Sequence, residues 1–178
     1  MRWGNSATHW GLFSRLLHWF TAVAVVFMFG LGFTMINMRL SPMKLEMFIV
    51  HKSIGMLLLL IICIRVVWRI LNPAPRPSKH LSTTQRKLVL LGQLLMYALL
   101  FAIPISGWII NSASNFPLQW FGLFEIPPIT NPNIALEDYA KTVHFVLICI
   151  LASVVIMHIS AALHHHWIKR NDILKRML

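Results

Sequence analysis

Four of the nine histidines in this 178-residue chain fall inside long apolar stretches: His18, His51, His144 and His158. Ionisable side chains within a membrane span are costly and mark functional sites by default. Their spacing is ordered. Fourteen residues separate His144 from His158, which on a helix is about 21 Å of rise and about 40° of rotation. One helix thus carries two imidazoles on nearly one face at two depths. His18 and His51 each begin another apolar stretch, so each has a partner at its own depth: His18 with His158, and His51 with His144. Two imidazoles facing each other at one level match the axial ligand set of a haem iron. Zinc wants a third or fourth ligand, and no cluster of Cys, Asp or Glu supplies one. Two further readings stay open from the residues alone: a proton path, and interhelical polar contacts with no ligand.

The elements that must position these side chains are four helices. Leu16–Met38, Met47–Leu71, Leu88–Asn111 and Val143–Trp167 each reach the ~20 residues that a bilayer-spanning helix needs. The chain is 57% hydrophobic and 12% charged, against roughly 45–50% and 25% in soluble domains. That excludes an ordinary soluble protein, and the apolar content excludes a disordered basic tail. The loops contrast: a short one at Ser41-Pro42, a proline-rich one opening at Asn72-Pro-Ala-Pro-Arg-Pro77, and a long one over 112–142 with four prolines. Prolines in series cannot continue a helix. The first stretch is too long for a signal-peptide core and lacks a cleavage pattern, so it reads as a retained helix. With no repeat and no linker, the expectation is one domain over 1–178, all-α, an integral membrane four-helix bundle.

Charge gives the bundle a direction. Twelve of the sixteen Lys and Arg residues lie on the side of the termini and second loop: Arg2, Arg15, Arg65, Arg69, Arg76, Lys79, Arg86, Lys87, Lys169, Arg170, Lys175 and Arg176. Arg39, Lys44, Lys52 and Lys141 lie on the other. Positive residues stay in the cytoplasm, so both termini are expected there. His18 and His158 are then the inner pair, His51 and His144 the outer. With Asp172 the inner side accounts for the whole net charge of +11, and Glu46, Glu125, Glu137 and Asp138 bring the outer side to zero. The basic excess is a topology signal and no longer supports a nucleic-acid partner. Trp19, Trp68, Trp108 and Trp167 sit at or near span ends, as interfacial anchors do.

Other residues have two readings each. Gly55, one turn after His51, leaves room for a flat porphyrin or for a neighbouring helix; Gly30 and Gly32 are equally ambiguous. Pro104 and Gly107 predict a kink in a third helix that carries no histidine and reads as a wall. Arg65 and Arg69, one turn apart, suit a haem propionate or lipid phosphates. In the run His164–His166, His165 shares a face with His158 and suits an inner propionate, a quinone headgroup or a solvated interface. His9 and His80 are assigned nothing. Cys63 and Cys149 lie within spans, and no C-x-x-C-H motif is present for covalent haem attachment.

Phe13-Ser-Arg-Leu-Leu-His18-Trp19, Val50-His51-Lys52-Ser-Ile-Gly55, Arg65-Val-Val-Trp-Arg69, His144 with His158, Leu163-His-His-His-Trp167 and Asn171-Asp-Ile-Leu-Lys-Arg-Met177 resemble the bacterial cytochrome b561 family. The resemblance covers nearly the whole chain. It implies a multi-pass inner-membrane cytochrome with two non-covalent b haems, one on His18 and His158 and one on His51 and His144. Similar proteins move electrons between a periplasmic partner and the quinone pool. One branch oxidises superoxide at the outer haem and reduces ubiquinone. Related, longer subunits anchor hydrogenases and formate dehydrogenases. Superoxide is an anion, and Lys52 and Lys141 flank the outer ligands as steering charges, although the outer side as a whole is neutral. The aromatic segment Phe116–Phe124 is placed to lie in the membrane interface and cover the outer haem. The expected function is superoxide:ubiquinone oxidoreductase. A non-catalytic subunit docking another redox protein is the alternative, and a haem-free proton or metal transporter the second.

Overall fold

A computed structural model describes residues 2–77 and 81–177. Lys79, counted above among the inner cations, and His80 lie outside the described residues. Four long helices dominate: α1 Leu12–Asn37, α2 Pro42–Leu71, α3 Thr83–Ala113 and α4 Ile134–Leu163. A π-helical turn, His164–Ile168, continues α4. All four are long and apolar enough to cross a membrane. At ~1.5 Å per residue a 30-residue helix such as α2 runs about 45 Å, beyond the ~30 Å hydrocarbon layer, so its ends stand in the interfaces.

The starts are written in the sequence. Ser41 caps α2 by accepting from the Lys44 N–H, with Pro42 at the first helical position, where its missing N–H costs nothing. Ser82 and Gln85 make a reciprocal capping box on α3. Asn133 accepts from the Leu136 N–H at the start of α4. All four helices begin before the apolar stretches that announced them, α1 at Leu12 for Leu16 and α3 at Thr83 for Leu88. α2 starts at Pro42 where Met47 was expected, and α4 at Ile134 where Val143 was expected. Every leading turn carries charged residues, so these segments fall outside an apolar window while remaining helical. α3 runs unbroken through Pro104.

The third loop holds structure that hydropathy did not announce. Strands β1 Leu118–Trp120 and β2 Phe124–Ile126 pair antiparallel, Trp120 opposite Phe124. The turn is closed by the Leu123 N–H on the Trp120 carbonyl at 2.9 Å. Phe121 and Gly122 both have positive φ, 50° and 72°, and glycine makes that cheap at the second position.

Among the described residues, backbones approach closely between α1 and α2, α2 and α3, and α3 and α4, but not between α1 and α4 or between α2 and α4. Side chains bridge the middle: Val25 of α1 meets Leu99 of α3 and Leu151 and Val154 of α4. Large apolar side chains such as Phe33, Ile36 and Ile70 are more than 70% exposed, as lipid-facing residues are. Both chain ends gather at one end of the bundle. The Trp19 indole N–H donates to the Met177 carbonyl at 3.0 Å, Arg176 to the Arg76 carbonyl at 3.1 Å, and the Arg76 N–H to the Ala7 carbonyl at 2.9 Å. The hairpin caps the opposite end.

Candidate functional site

The histidines on α1, α2 and α4 meet at two levels, across the helix pairs whose backbones stay apart. At the terminus end, the His18 and His158 ring centres are 6.3 Å apart with planes at 62°. Metal–imidazole bonds of about 2 Å place two axial ring centres roughly 6 Å apart, so this spacing suits one iron between them. At the hairpin end, His51 stands within electrostatic reach of His144.

Hydrogen bonds distinguish the two levels. His144 Nδ1 donates to the Ile103 carbonyl at 3.1 Å and lies 2.8 Å from the Ser106 hydroxyl, which donates to the same carbonyl at 2.7 Å. A carbonyl only accepts, so the ring proton sits on Nδ1 and Nε2 keeps its lone pair for a ligand. At the other level, the Arg65 guanidinium donates to His18 Nδ1 at 3.2 Å. Arginine only donates, so here the ring proton sits on Nε2. His51 Nδ1 is buried with no hydrogen-bond partner among the described residues, a costly state unless something else satisfies it.

Glycines make room for the hairpin-side rings. A Cβ on Gly107 of α3 would stand 3.4 Å from His144 Cε1, and one on Gly32 of α1 would stand 3.8 Å from His51 Cε1. Gly55 instead faces Met28 of α1, 3.9 Å from where its Cβ would be, a helix-packing contact. The third helix is therefore more than a wall: it supplies a carbonyl, a hydroxyl and a bare glycine to His144. Ser106 carries no signal in the sequence and Gly107 only that of a kink with Pro104, because their role beside His144 is tertiary and no local pattern encodes it.

The remaining residues singled out in the sequence are placed as follows. The Arg65 guanidinium also lies 5.4 Å from the Tyr97 ring centre. Arg69 donates to Gln93 at 3.2 Å and covers the Trp10 ring at 5.2 Å. His165 lies in the π-turn, its Nδ1 2.8 Å from the Asn171 amide. The π-turn changes the helical phase, so His165 does not follow His158 by simple α-helical rotation. Lys52 holds its ammonium 5.7 Å from the Phe116 ring centre. Lys141 pairs with Glu137 at 2.6 Å and Asp138 at 3.3 Å.

The hairpin is fastened to the His51 level by Ser53, two residues on. Its fully buried hydroxyl accepts from the Phe121 N–H at 2.8 Å and donates to the Gln119 carbonyl at 3.3 Å. Further clamps come from α3: Trp108 donates to the Pro127 carbonyl at 3.0 Å, and Asn111 to the Phe116 carbonyl at 2.6 Å.

Paired imidazoles, a preset tautomer, an orphaned buried nitrogen and glycine cradles fit a flat, iron-centred macrocycle held from both faces. The fold and site thus define a multi-pass helical membrane protein suited to haem. The sequence model described as prokaryotic cytochrome b561 matches residues 9–178, and this chain belongs to that family. It is 37% identical over 185 aligned residues to the Cytochrome b561 homolog 2 of Escherichia coli (strain K12), covering 100% of this chain and 95% of that protein. It is 27% identical over 165 residues to the Probable superoxide oxidase CybB of Yersinia pestis, with 91% of each chain covered. Cytochrome b561 homolog 1 of Escherichia coli (strain K12) is 28% identical over 94 residues, about half of each chain at 53%. The chain is accordingly a multi-pass protein of the bacterial inner membrane that transfers electrons across it by b-type haem. Family membership sets aside the haem-free transporter.

Proposed function

We propose that this cytochrome holds two b haems and carries electrons from superoxide on the periplasmic side to ubiquinone. The depth-matched histidine pairs carry the reading. His51 and His144 would ligate the haem at the hairpin end, His18 and His158 the haem at the terminus end, and both termini would face the cytoplasm. When bound, each haem supplies a one-electron carrier; the protein supplies ligands, a low dielectric and spacing.

His144 is presented with its proton on Nδ1 and Nε2 free, and Gly107 and Gly32 let the two rings seat closely. If His18 Nε2 were to hold an iron, that ring's proton would sit on Nδ1, which could then no longer accept from Arg65. Arg65 would then be free at the same level to pair with a propionate; Arg69 lies one turn further toward the terminus end. Gly55 packs beside the hairpin-side level, and His165 sits at the membrane surface below His158, on the quinone side. Lys52 steers the anion: no carboxylate pairs with it among the described residues, and it adjoins His51. Lys141 contributes less, because Glu137 and Asp138 share its charge. Two superoxide anions each give up one electron and leave as dioxygen. Those two electrons, with two protons from water, convert one ubiquinone to ubiquinol.

The family and a relative named as a probable superoxide oxidase support this reading. Its test is to supply superoxide and ubiquinone to the purified, haem-loaded protein. Quinol formation in step with superoxide loss is expected. Haem reduction by superoxide with no quinol, or no reaction with superoxide, would favour an electron-transfer subunit that docks another redox protein.

A further inference from the structure

We infer that the N-terminal segment builds a binding site for a phosphate-bearing anionic lipid headgroup, formed by Arg2, His9, Trp10 and Arg15. Nothing in the electron-transfer machinery requires this segment, yet it is closely tied down. The Leu12 N–H donates back to the Arg2 carbonyl at 3.0 Å and the Phe13 N–H to the Trp3 carbonyl at 3.4 Å. Asn5 accepts from the Gly11 N–H at 2.9 Å and from the Ser14 hydroxyl at 2.7 Å, while its amide donates to the Asn72 carbonyl at 3.1 Å. Gly11 is buried where the chain crosses itself, and a Cβ there would collide with the backbone of Trp3 and Gly4.

The fold-back forms an open hollow of about 260 Å³ whose lining includes Arg2, His9, Trp10, Leu12 and Arg15. Two arginines and a histidine are among its lining residues, and no acidic residue is. Neither Arg2 nor Arg15 has an ion-pair partner among the described residues. Arg69 lies against the Trp10 ring, a further cation in the neighbourhood. Cations gathered in a hollow without counter-ions call for an anion, and guanidinium forks match phosphate oxygens.

The size and walls favour a headgroup over a larger solute. Pockets for drug-sized ligands run from roughly 300 Å³ upward, and this one is smaller. Trp10 and Leu12 give it an apolar side suited to glycerol and the first acyl carbons. It also stands at the right level: Leu16, one turn along α1, is already 53% exposed on the lipid-facing surface. Basic pockets at this level recognise anionic lipids.

The test uses the haem-loaded protein in a neutral detergent, titrated with dihexanoylphosphatidylglycerol, dihexanoylphosphatidylcholine or sodium phosphate. Thermal stability and native mass spectrometry are the readouts. The glycerol lipid should bind and raise the unfolding temperature, and the choline lipid and free phosphate should do so far less. R2Q/R15Q should weaken the glycerol-lipid affinity at least about tenfold, as expected for losing charge-assisted hydrogen bonds, with the haem spectrum unchanged. R15Q alone should show a smaller weakening, and it carries the test if the double variant does not fold. Equal binding of the choline lipid, or wild-type affinity in the variants, would overturn the site. Equally tight binding of sodium phosphate, lost in R2Q/R15Q, would overturn the lipid assignment in favour of a free phosphate.

Discussion

The two histidine levels differ in how far the protein alone prepares them. At the hairpin end one of the two proposed ligands, His144, is set in advance. Ile103 and Ser106 fix the tautomer of His144, Gly107 and Gly32 leave room for the rings, and Ser53 locks a hairpin over the level. At the terminus end, Arg65 holds His18 in the opposite tautomer, and His158 stays exposed. One level holds His144 with Nε2 free and leaves His51 Nδ1 unpartnered; the other would need a proton shift on His18 before its Nε2 could hold a metal.

The largest effect should come from filling the cradle. Gly107→Leu would drive a branched side chain into the His144 ring, which a Cβ already approaches to 3.4 Å. Loss of the hairpin-side haem is expected, with the other retained, measured by haem content per chain. Retention of both haems at normal spectra would mean that His144 is not so placed.

Lys52→Gln comes next. Removing an unpaired cation beside the hairpin-side level should, on the proposed function, slow superoxide capture several-fold and flatten its dependence on ionic strength. Lys141→Gln should do less, because its charge is already shared with two carboxylates. Equal effects of the two would dissolve that distinction.

Arg65→Gln sharpens the contrast between levels. A unit charge at ~8–10 Å acts with about 2 kcal/mol at an effective dielectric of about 20. Its removal should lower the midpoint potential of the terminus-side haem by tens of millivolts by that same estimate, leaving the other in place. Spectroelectrochemical titration reads both. Ser53→Ala should be the mildest, costing about 1–2 kcal/mol for the two hydrogen bonds lost. Faster hydrogen exchange at the Phe121 amide is its local signature, with both haems kept.

The sequence carried the spanning helices and the pairing of histidines by depth, because apolar length and helical rise are local and additive. It carried less of what surrounds His144. Ser106 and Gly107 gain their role from α3 packing on α4, which no spacing encodes. The hairpin had one signal, the Phe121-Gly122 turn, inside a stretch whose aromatic character reads equally well as a membrane anchor. The early start of α4 had its cap at Asn133 and Glu137 in its first turn, but the charged turn hides it from any hydropathy window. Arg65 was marked for a propionate, and its contact with His18 depends on a tertiary approach between α1 and α2.

The most direct measurement is haem stoichiometry with redox titration on the wild type, His51→Ala, His144→Ala, His18→Ala and His158→Ala, each shown to be folded by circular dichroism. Two haems per wild-type chain are expected. His51→Ala and His144→Ala should lose the same one, and His18→Ala and His158→Ala the other. A single haem in the wild type, or variants of His51 and His144 that lose different haems, would contradict the pairing on which the account rests.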